Sequence, residues 1–314
     1  MSARILAVDG GQSGIRVLDS STGATTELKG VSRLEGDPLV TIVENLRDHL
    51  QSSQNGSPDV VVLGLSTVPN IQRDGESFAR QVAHTLAAPR VVVTDDAVTH
   101  HASLFHGEPG VALAIGTGVA CTAVDNQATF HSVSGYGFLL GDDGGAFWIG
   151  REVIRRVLDS FHSGGSSALR ELVESQWGDL AVLPATLHSL ERPVNDIAHL
   201  APHVLALAAD DADAGAVIQA AINALVEAAN RAVSSGGGID APRIVWTSKL
   251  FSSSPRLSEA LGSALLQGVS SSTVTASDVS PLEGALWLAD PAHHGPYSSH
   301  LIDVVSTEGV THVS

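Results

Sequence analysis

The sequence holds one cysteine, Cys121, one methionine, and few aromatic residues, 4% of the whole. A lone cysteine rules out a disulfide within the chain, and one thiol cannot by itself carry a zinc or iron–sulfur centre. With aromatics so scarce, the core must be built from valine, leucine, isoleucine and alanine, as buried parallel sheets usually are. Cations are few as well: 17 lysines and arginines face 34 aspartates and glutamates, for a formal net charge of −17. No segment carries a basic stripe, so nucleic acid is not an expected partner. An anionic ligand would have to be held by local devices such as glycine-rich loops, helix N-termini or a metal ion. The longest mostly apolar stretch, Gly110 to Val124, is too short and too rich in glycine and threonine to span a bilayer. Met1-Ser2-Ala3-Arg4 leads straight into a strand pattern with no signal peptide, so a cytoplasmic protein without a membrane partner is expected. The histidines show no metal-ligand spacing. His100, His101, His106 and the His293-His294 pair are expected at the surface.

What remains is an ordinary globular composition, with 43% hydrophobic and 16% charged residues over a length comfortable for two domains. Ile5 to Val8 is a short apolar run, closed by Asp9-Gly10-Gly11 and followed by a second strand, Ile15 to Leu18. This is the pattern of a β-hairpin with a glycine-rich turn. Thr22 to Leu28 extends it. Leu39, Ile42, Val43, Leu46 and Leu50 recur at helical spacing, which predicts a helix over Pro38 to Gln51. Val60 to Leu65 and Val91 to Val93 are continuous apolar runs, the mark of buried strands, with a helix at Glu76 to Leu86 between them. Near Gly110 the hairpin pattern recurs. Val111 to Ile115 and Ala120 to Val124 flank Gly116-Thr117-Gly118, a weak internal duplication. The second half is mainly helical, with helices predicted over Gly144 to Phe161, Ala198 to Ala208, Ala214 to Val233 and Pro255 to Leu266. A strand, Arg243 to Thr247, interrupts them. Ser280-Pro281 opens a last helix through Ala289.

Four motifs carry chemistry. Asp9-Gly10-Gly11-Gln12-Ser13 joins two strands. Its glycines can admit phosphate oxygens to the backbone N–H groups, Ser13 can donate to a phosphate, and Asp9 can hold Mg²⁺ through water. Its bland reading is a hairpin turn. Gly116-Thr117-Gly118 can be a second phosphate cradle or simply a turn. Thr94-Asp95-Asp96 ends a buried strand, where α/β proteins gather ligands, and a carboxylate there can accept a proton. Its bland reading is a helix cap. Gly135 to Gly150 packs six glycines into sixteen residues, so the backbone approaches something closely there. Asp142 and Asp143 are its polar heads, suited to sugar hydroxyls.

Taken together and in this order, these motifs resemble the BadF/BadG/BcrA/BcrD-type ATPases, and among them the N-acetylglucosamine kinases. The resemblance covers about residues 4 to 290. It implies an α/β, two-domain, actin-like (ribonuclease H-like) ATPase fold with duplicated mixed-sheet domains and an interdomain cleft. It also implies an ATP-dependent sugar kinase that phosphorylates the 6-hydroxyl of an amino sugar such as N-acetylglucosamine, with Mg²⁺ and as a homodimer. The roles it implies are Asp96 as catalytic base and Asp9 at the metal. Gly10, Gly11, Gln12, Ser13, Gly116, Thr117 and Gly118 would bind phosphate, and Asp96, Thr117, Gly118, Asp142 and Ala146 the sugar. Ser248-Lys249 stands where the family has a glycine pair beside the adenosine. The family's Lys or Arg after the loop hydroxyl is Gly14 here, and its Ser-Asn after the second loop is Val119-Ala120. Two other readings remain open. An activator ATPase of the same family would need more cysteines. A sugar-binding regulator without catalysis is motivated by Gly14 and Ser248-Lys249. The expected domains are residues 1–107 and 108–290, with the helix at 280–289 packing back on the first, and a loose tail over 291–314.

Overall fold

The apolar runs form strands where their pattern predicts them, and the computed structural model describes residues 3–11, 14–30, 37–53, 55–66, 74–161, 163 and 167–306. It divides into two compact units. One comprises Met1–Pro109, Gln127–Phe130 and Val279–Ser314, the other Gly110–Asn126 and His131–Asp278.

The first unit starts with β1 (Ile5–Gly10), β2 (Gly14–Asp19) and β3 (Ala24–Lys29), an antiparallel meander. Helix α1 (Pro38–Ser53) leads to β4 (Val60–Leu65), and α2 (Gly75–Leu86) to β5 (Arg90–Asp95). β1, β4 and β5 run parallel. Leu6, Val8, Ile15, Val17, Leu63 and Val93 belong to a core cluster that also takes in Ile42 and Leu46 of α1 and Val82 of α2. Helix α3 (Asp96–Phe105) follows β5 directly.

In the second unit β6 (Gly110–Ile115) and β7 (Val119–Val124) form the recurring hairpin, with β8 (Phe130–Ser132) beyond. Then come α4 (Ala146–Asp159), α5 (Ser167–Trp177), α6 (Leu183–His188), α7 (Pro193–Ala198), α8 (Ala201–Leu207) and α9 (Ala212–Val233). β9 (Arg243–Thr247) pairs in parallel with β6, and after α10 (Pro255–Gly268), β10 (Thr273–Ala276) pairs in parallel with β9. The strand order β10-β9-β6-β7-β8 repeats the β5-β4-β1-β2-β3 order of the first sheet. The weak duplication in the sequence is therefore a duplication of topology, with a glycine turn after the central strand each time.

The last helix, α11 (Pro281–Trp287), belongs to the first unit and packs on α3 and β1. Ser280 caps it through Leu282 N–H at 3.3 Å. Gly284 lies so close to α3 that a Cβ there would run into the Thr99 carbonyl oxygen and stand 2.6 Å from the Ser103 backbone nitrogen. Gly284→Ala is therefore expected to destabilise the protein by about 3 kcal/mol, at the upper end of overpacking costs, because a backbone cannot yield as a side chain does. Urea unfolding followed by circular dichroism checks this.

Two expectations are corrected here. Residues after Asp290 are not a loose tail as far as they are described. β11 (Ile302–Val305) pairs antiparallel with β5 and covers its edge. Arg90 donates to both Asp303 oxygens, at 2.9 and 2.7 Å, and Tyr297 is fully buried. Four residues of strand among glycines, prolines and histidines give too short a period to read. His100 and His101 are buried rather than exposed. α3 is covered by β4 and β5 on one side and α11 on the other, so even its polar positions lose solvent. Burial pulls the His100 pKa down to about 4, and His101 Nδ1 lies 2.8 Å from the Tyr297 hydroxyl.

Candidate functional site

In the first unit the chemistry gathers at the carboxyl ends of the parallel strands. Gly10 pairs with Leu65, and Leu65 with Asp95. The first glycine turn and the paired aspartates thus share one row, roughly 10 Å apart across two strand spacings. The turn closes with Gly11 N–H donating to Gly14 O at 3.0 Å. Gln12 and Ser13, expected to touch phosphate with Gly10 and Gly11, lie outside the described residues. Asp9 stands opposite Arg16 on β2. Arg16 Nε donates to Asp9 Oδ2 at 3.0 Å and a terminal guanidinium nitrogen donates to the same oxygen. No hydrogen bond reaches Asp9 Oδ1 among the described residues.

The two aspartates after β5 divide their work. Asp95 is the helix cap: its backbone is extended, and its Oδ1 accepts the Ala97 N–H at 2.9 Å. Asp96 is left without that duty. Burial, reinforced by the neighbouring carboxylates of Asp95 and then Asp9, pushes the Asp96 pKa up to about 8. The capping position is thus filled by one residue of the pair, and the other is left with a raised pKa.

In the second unit the Gly116-Thr117-Gly118 turn closes with Gly116 N–H donating to Gly118 O at 2.9 Å. It is docked on the start of α4: Ala146 N–H donates to Gly116 O at 2.9 Å and Phe147 N–H to Thr117 O at 3.0 Å. Ala146, which the resemblance implied at the sugar, uses its N–H to hold the turn. Asp142 adopts a left-handed backbone, φ 62°, which aspartate tolerates better than most residues. Its Oδ1 accepts the Val119 N–H at 3.2 Å, and its carboxyl lies against Gly118, where a Cβ would meet Asp142 Cγ at 2.6 Å. Only glycine allows that approach. Burial chiefly raises the Asp142 pKa, and Asp143 adds to it, while the Val119 hydrogen bond works the other way. Asp142 opens onto a cavity of about 360 Å³ lined also by Ser134, Tyr136, Asp143, Glu227 and Arg231.

Ser248 is buried. Its Oγ accepts the Phe251 N–H at 3.2 Å, so this side chain caps the short turn after β9 instead of projecting outward. Lys249 is exposed. One turn further on, a cavity of about 430 Å³ has apolar walls of Leu205, Ile218 and Leu257 and a polar edge of Gln219, Ser253 and Arg256. Nothing in the motifs pointed to Arg16, to these cavity residues, or to Glu227 and Arg231. Arg16 lies just past the first motif and reads as an ordinary strand residue, and Glu227 and Arg231 lie far from the motifs in sequence.

A resident Mg²⁺ was implied by the resemblance. Among the described residues no three His, Cys, Asp or Glu side chains converge as a metal cage. The carboxylates present still fit Mg²⁺, which usually takes one or two protein carboxylates and completes its shell with water and phosphate. Asp9 Oδ1, a hard donor without a hydrogen bond among the described residues, is of that kind.

These features define a two-domain actin-like α/β fold with a glycine turn after the central strand of each sheet. Solved structures share it. A proposed N-acetylglucosamine kinase from Chromobacterium violaceum aligns over 92% of this chain and 99% of its own, with a TM-score of 0.68 at 24% identity. A second proposed N-acetylglucosamine kinase, from Porphyromonas gingivalis, aligns over 91% and 98%, with a TM-score of 0.70 at 17% identity. A ROK-family glucokinase from Streptomyces griseus, in complex with glucose and AMPPNP, aligns over 93% and 100%, with a TM-score of 0.58 at 14% identity. No protein-family model matches the chain. The expected fold is therefore borne out.

Proposed function

We propose that the protein is an ATP-dependent sugar kinase that transfers the γ-phosphate to the 6-hydroxyl of an amino sugar such as N-acetylglucosamine. The observation that carries this reading is Asp96: a partly buried carboxylate, relieved of capping by Asp95, held at the carboxyl end of the sheet with its pKa raised to about 8. The three similar structures, two proposed N-acetylglucosamine kinases and a glucokinase, support it.

In this reading Asp96 accepts the proton of the attacking hydroxyl, the step for which phosphoryl transfer needs a base or a positioning group. Asp142 accepts hydrogen bonds from the sugar hydroxyls, with Tyr136 and Ser134 beside it in the same cavity. The two glycine turns meet the phosphates, the second through its Thr117 and Gly118 N–H groups, because the Gly11 and Gly116 N–H groups already close their turns; Gln12 and Ser13 complete the first loop. Mg²⁺, when bound, neutralises charge on the transferring phosphate, and Asp9 Oδ1 is the oxygen that would reach it through water. The 430 Å³ cavity beyond Ser248-Lys249 has the make-up a purine takes, apolar walls with a few polar edges. Among the described residues no helix is long and apolar enough to cross a membrane. A cytoplasmic homodimer is the expected state.

The test is ADP release, coupled to NADH oxidation, across hexoses, free amino sugars and N-acylated amino sugars. Sugar-dependent release with an amino sugar preferred is expected. Sugar binding by calorimetry with no ADP release from any sugar would replace the kinase with the regulator reading.

A further inference from the structure

Of the three residues in the Thr94-Asp95-Asp96 motif, Asp95 caps α3 and Asp96 carries the raised pKa. Thr94 does neither. It follows Val91-Val92-Val93 in β5 and is fully buried, and its Oγ1 donates to His300 O at 2.8 Å, 206 residues further along the chain. A buried hydroxyl needs such a partner, because an unpaired one is costly. The β11 ladder on β5 stops where Ile302 stands opposite Val93. The Thr94 hydroxyl therefore makes the last tie to the C-terminal segment before the two carboxylates.

The same segment also grips the far side of the junction. The Tyr297 hydroxyl lies 2.8 Å from His101 Nδ1 on α3, and both side chains are fully buried. The Tyr297 ring is fixed among Phe130, His101 and Trp287, with ring centroids 5.6, 5.8 and 6.3 Å away. Arg90 ties both ends of the segment, donating to Ala289 O at 2.6 Å and to both Asp303 oxygens. Within α3, Thr99 Oγ1 donates to the Asp96 carbonyl at 2.9 Å. Asp96 thus stands between two points, Thr94 and His101, that one distant segment holds.

We propose that the C-terminal segment from Asp290 to Val305 is a positioning element for Asp96, and that Thr94 is the positioning residue through which it acts, with Tyr297 holding α3 on the other side. A base works only from a near-attack geometry, and a displacement of about 1 Å can cost about 10²-fold. A purely structural role for the same contacts predicts lower stability with turnover intact. This inference rests on the kinase reading and on Asp96 as its base.

The experiment is steady-state kinetics of sugar-dependent ADP release by wild type, Thr94→Val, Thr94→Ser and Tyr297→Phe, beside thermal unfolding of each. Every variant is also made in an Asp96→Asn background, whose residual rate is followed at high enzyme concentration. Valine keeps the shape and loses the hydroxyl, so Thr94→Val is expected to lose about 10- to 100-fold in kcat while the KM of sugar and of ATP changes little. Thr94→Ser keeps the hydroxyl and should recover most of that turnover, although it gives up a buried methyl and melts lower. Tyr297→Phe keeps the ring, loosens α3 and should also lower kcat. In the Asp96→Asn background Thr94→Val should cost no further turnover, since residues that act as a unit are not additive. Wild-type kcat in Thr94→Val overturns the proposal and leaves the kinase reading intact. So does a Thr94→Ser as impaired as Thr94→Val, or a loss that persists in full in the Asp96→Asn background. If Thr94→Val does not fold, Tyr297→Phe decides: an unchanged kcat overturns the proposal, and a loss that disappears in the Asp96→Asn background supports it. A wild-type protein that releases no ADP with any sugar sinks the kinase reading and this inference with it.

Discussion

Asp96→Asn is expected to lose about 10²- to 10⁴-fold in kcat, the usual contribution of a general base, while unfolding at a higher temperature than wild type at pH 8. The two effects have one cause. The Asp96 pKa is about 8 in the folded protein against 3.8 for the free side chain. Between those values the unfolded chain releases its proton and the folded one retains it. The stability that protonation lends is full below about pH 4 and is lost as pH rises through 8. At pH 8 the native protein therefore carries a destabilising group that asparagine removes. The gain in melting temperature should shrink on acidification and vanish near pH 4. Activity has the opposite slope, because only the ionised carboxylate can accept a proton. With both substrates well below saturation, kcat/KM reports the free enzyme. It should climb with pH along a limb centred near 8, well above the ordinary carboxylate range. Asp95→Asn keeps the cap, since asparagine caps helices as well as aspartate does. It removes a neighbouring negative charge, so the limb should move to lower pH. An Asp96→Asn protein that turns over at near the wild-type rate, or a limb in the ordinary carboxylate range, removes Asp96 from the base role.

The second large effect is expected at Asp142. Replacing it with alanine should raise the sugar KM by about 100-fold or more, the loss of two hydrogen bonds to a charged acceptor. Alanine also loses the Val119 hydrogen bond and suits the left-handed backbone less well. Asp142→Asn is the cleaner variant. Asparagine tolerates φ near 62° and can still accept from Val119 N–H, but it offers no charge to sugar hydroxyls. A substrate role predicts that Asp142→Asn raises the sugar KM by about 10- to 100-fold while the ATP KM changes little. A role confined to holding Val119 predicts near-normal kinetics for Asn and a defect only for Ala. Steady-state kinetics varying each substrate in turn decides between them.

These expectations show where sequence reading ran out. The hairpins, the helix starts at Pro38, Pro255 and Ser280, and the strand at Arg243 to Thr247 were legible, because each is set by side chains within a turn or a strand of each other. So was the adjacency of two aspartates at the end of a buried strand. What the sequence by itself determined is therefore the order of the paired hairpins and the longer helices, the glycine turns and the candidate chemistry at each. Which aspartate caps and which keeps a raised pKa was decided by the extended backbone of Asp95 at the start of α3 and by the burial of Asp96. The docking of the Ala146 N–H on the Gly116 carbonyl joins segments thirty residues apart. The pairing of Asp9 with Arg16, the approach of Asp142 to Gly118 and the burial of His100 and His101 all depend on register or packing. The pKa of a carboxylate and the partner of an arginine are set by what stands within a few ångströms. That neighbourhood is assembled from segments whose separation along the chain leaves no periodicity to read, so only the tertiary structure decided it.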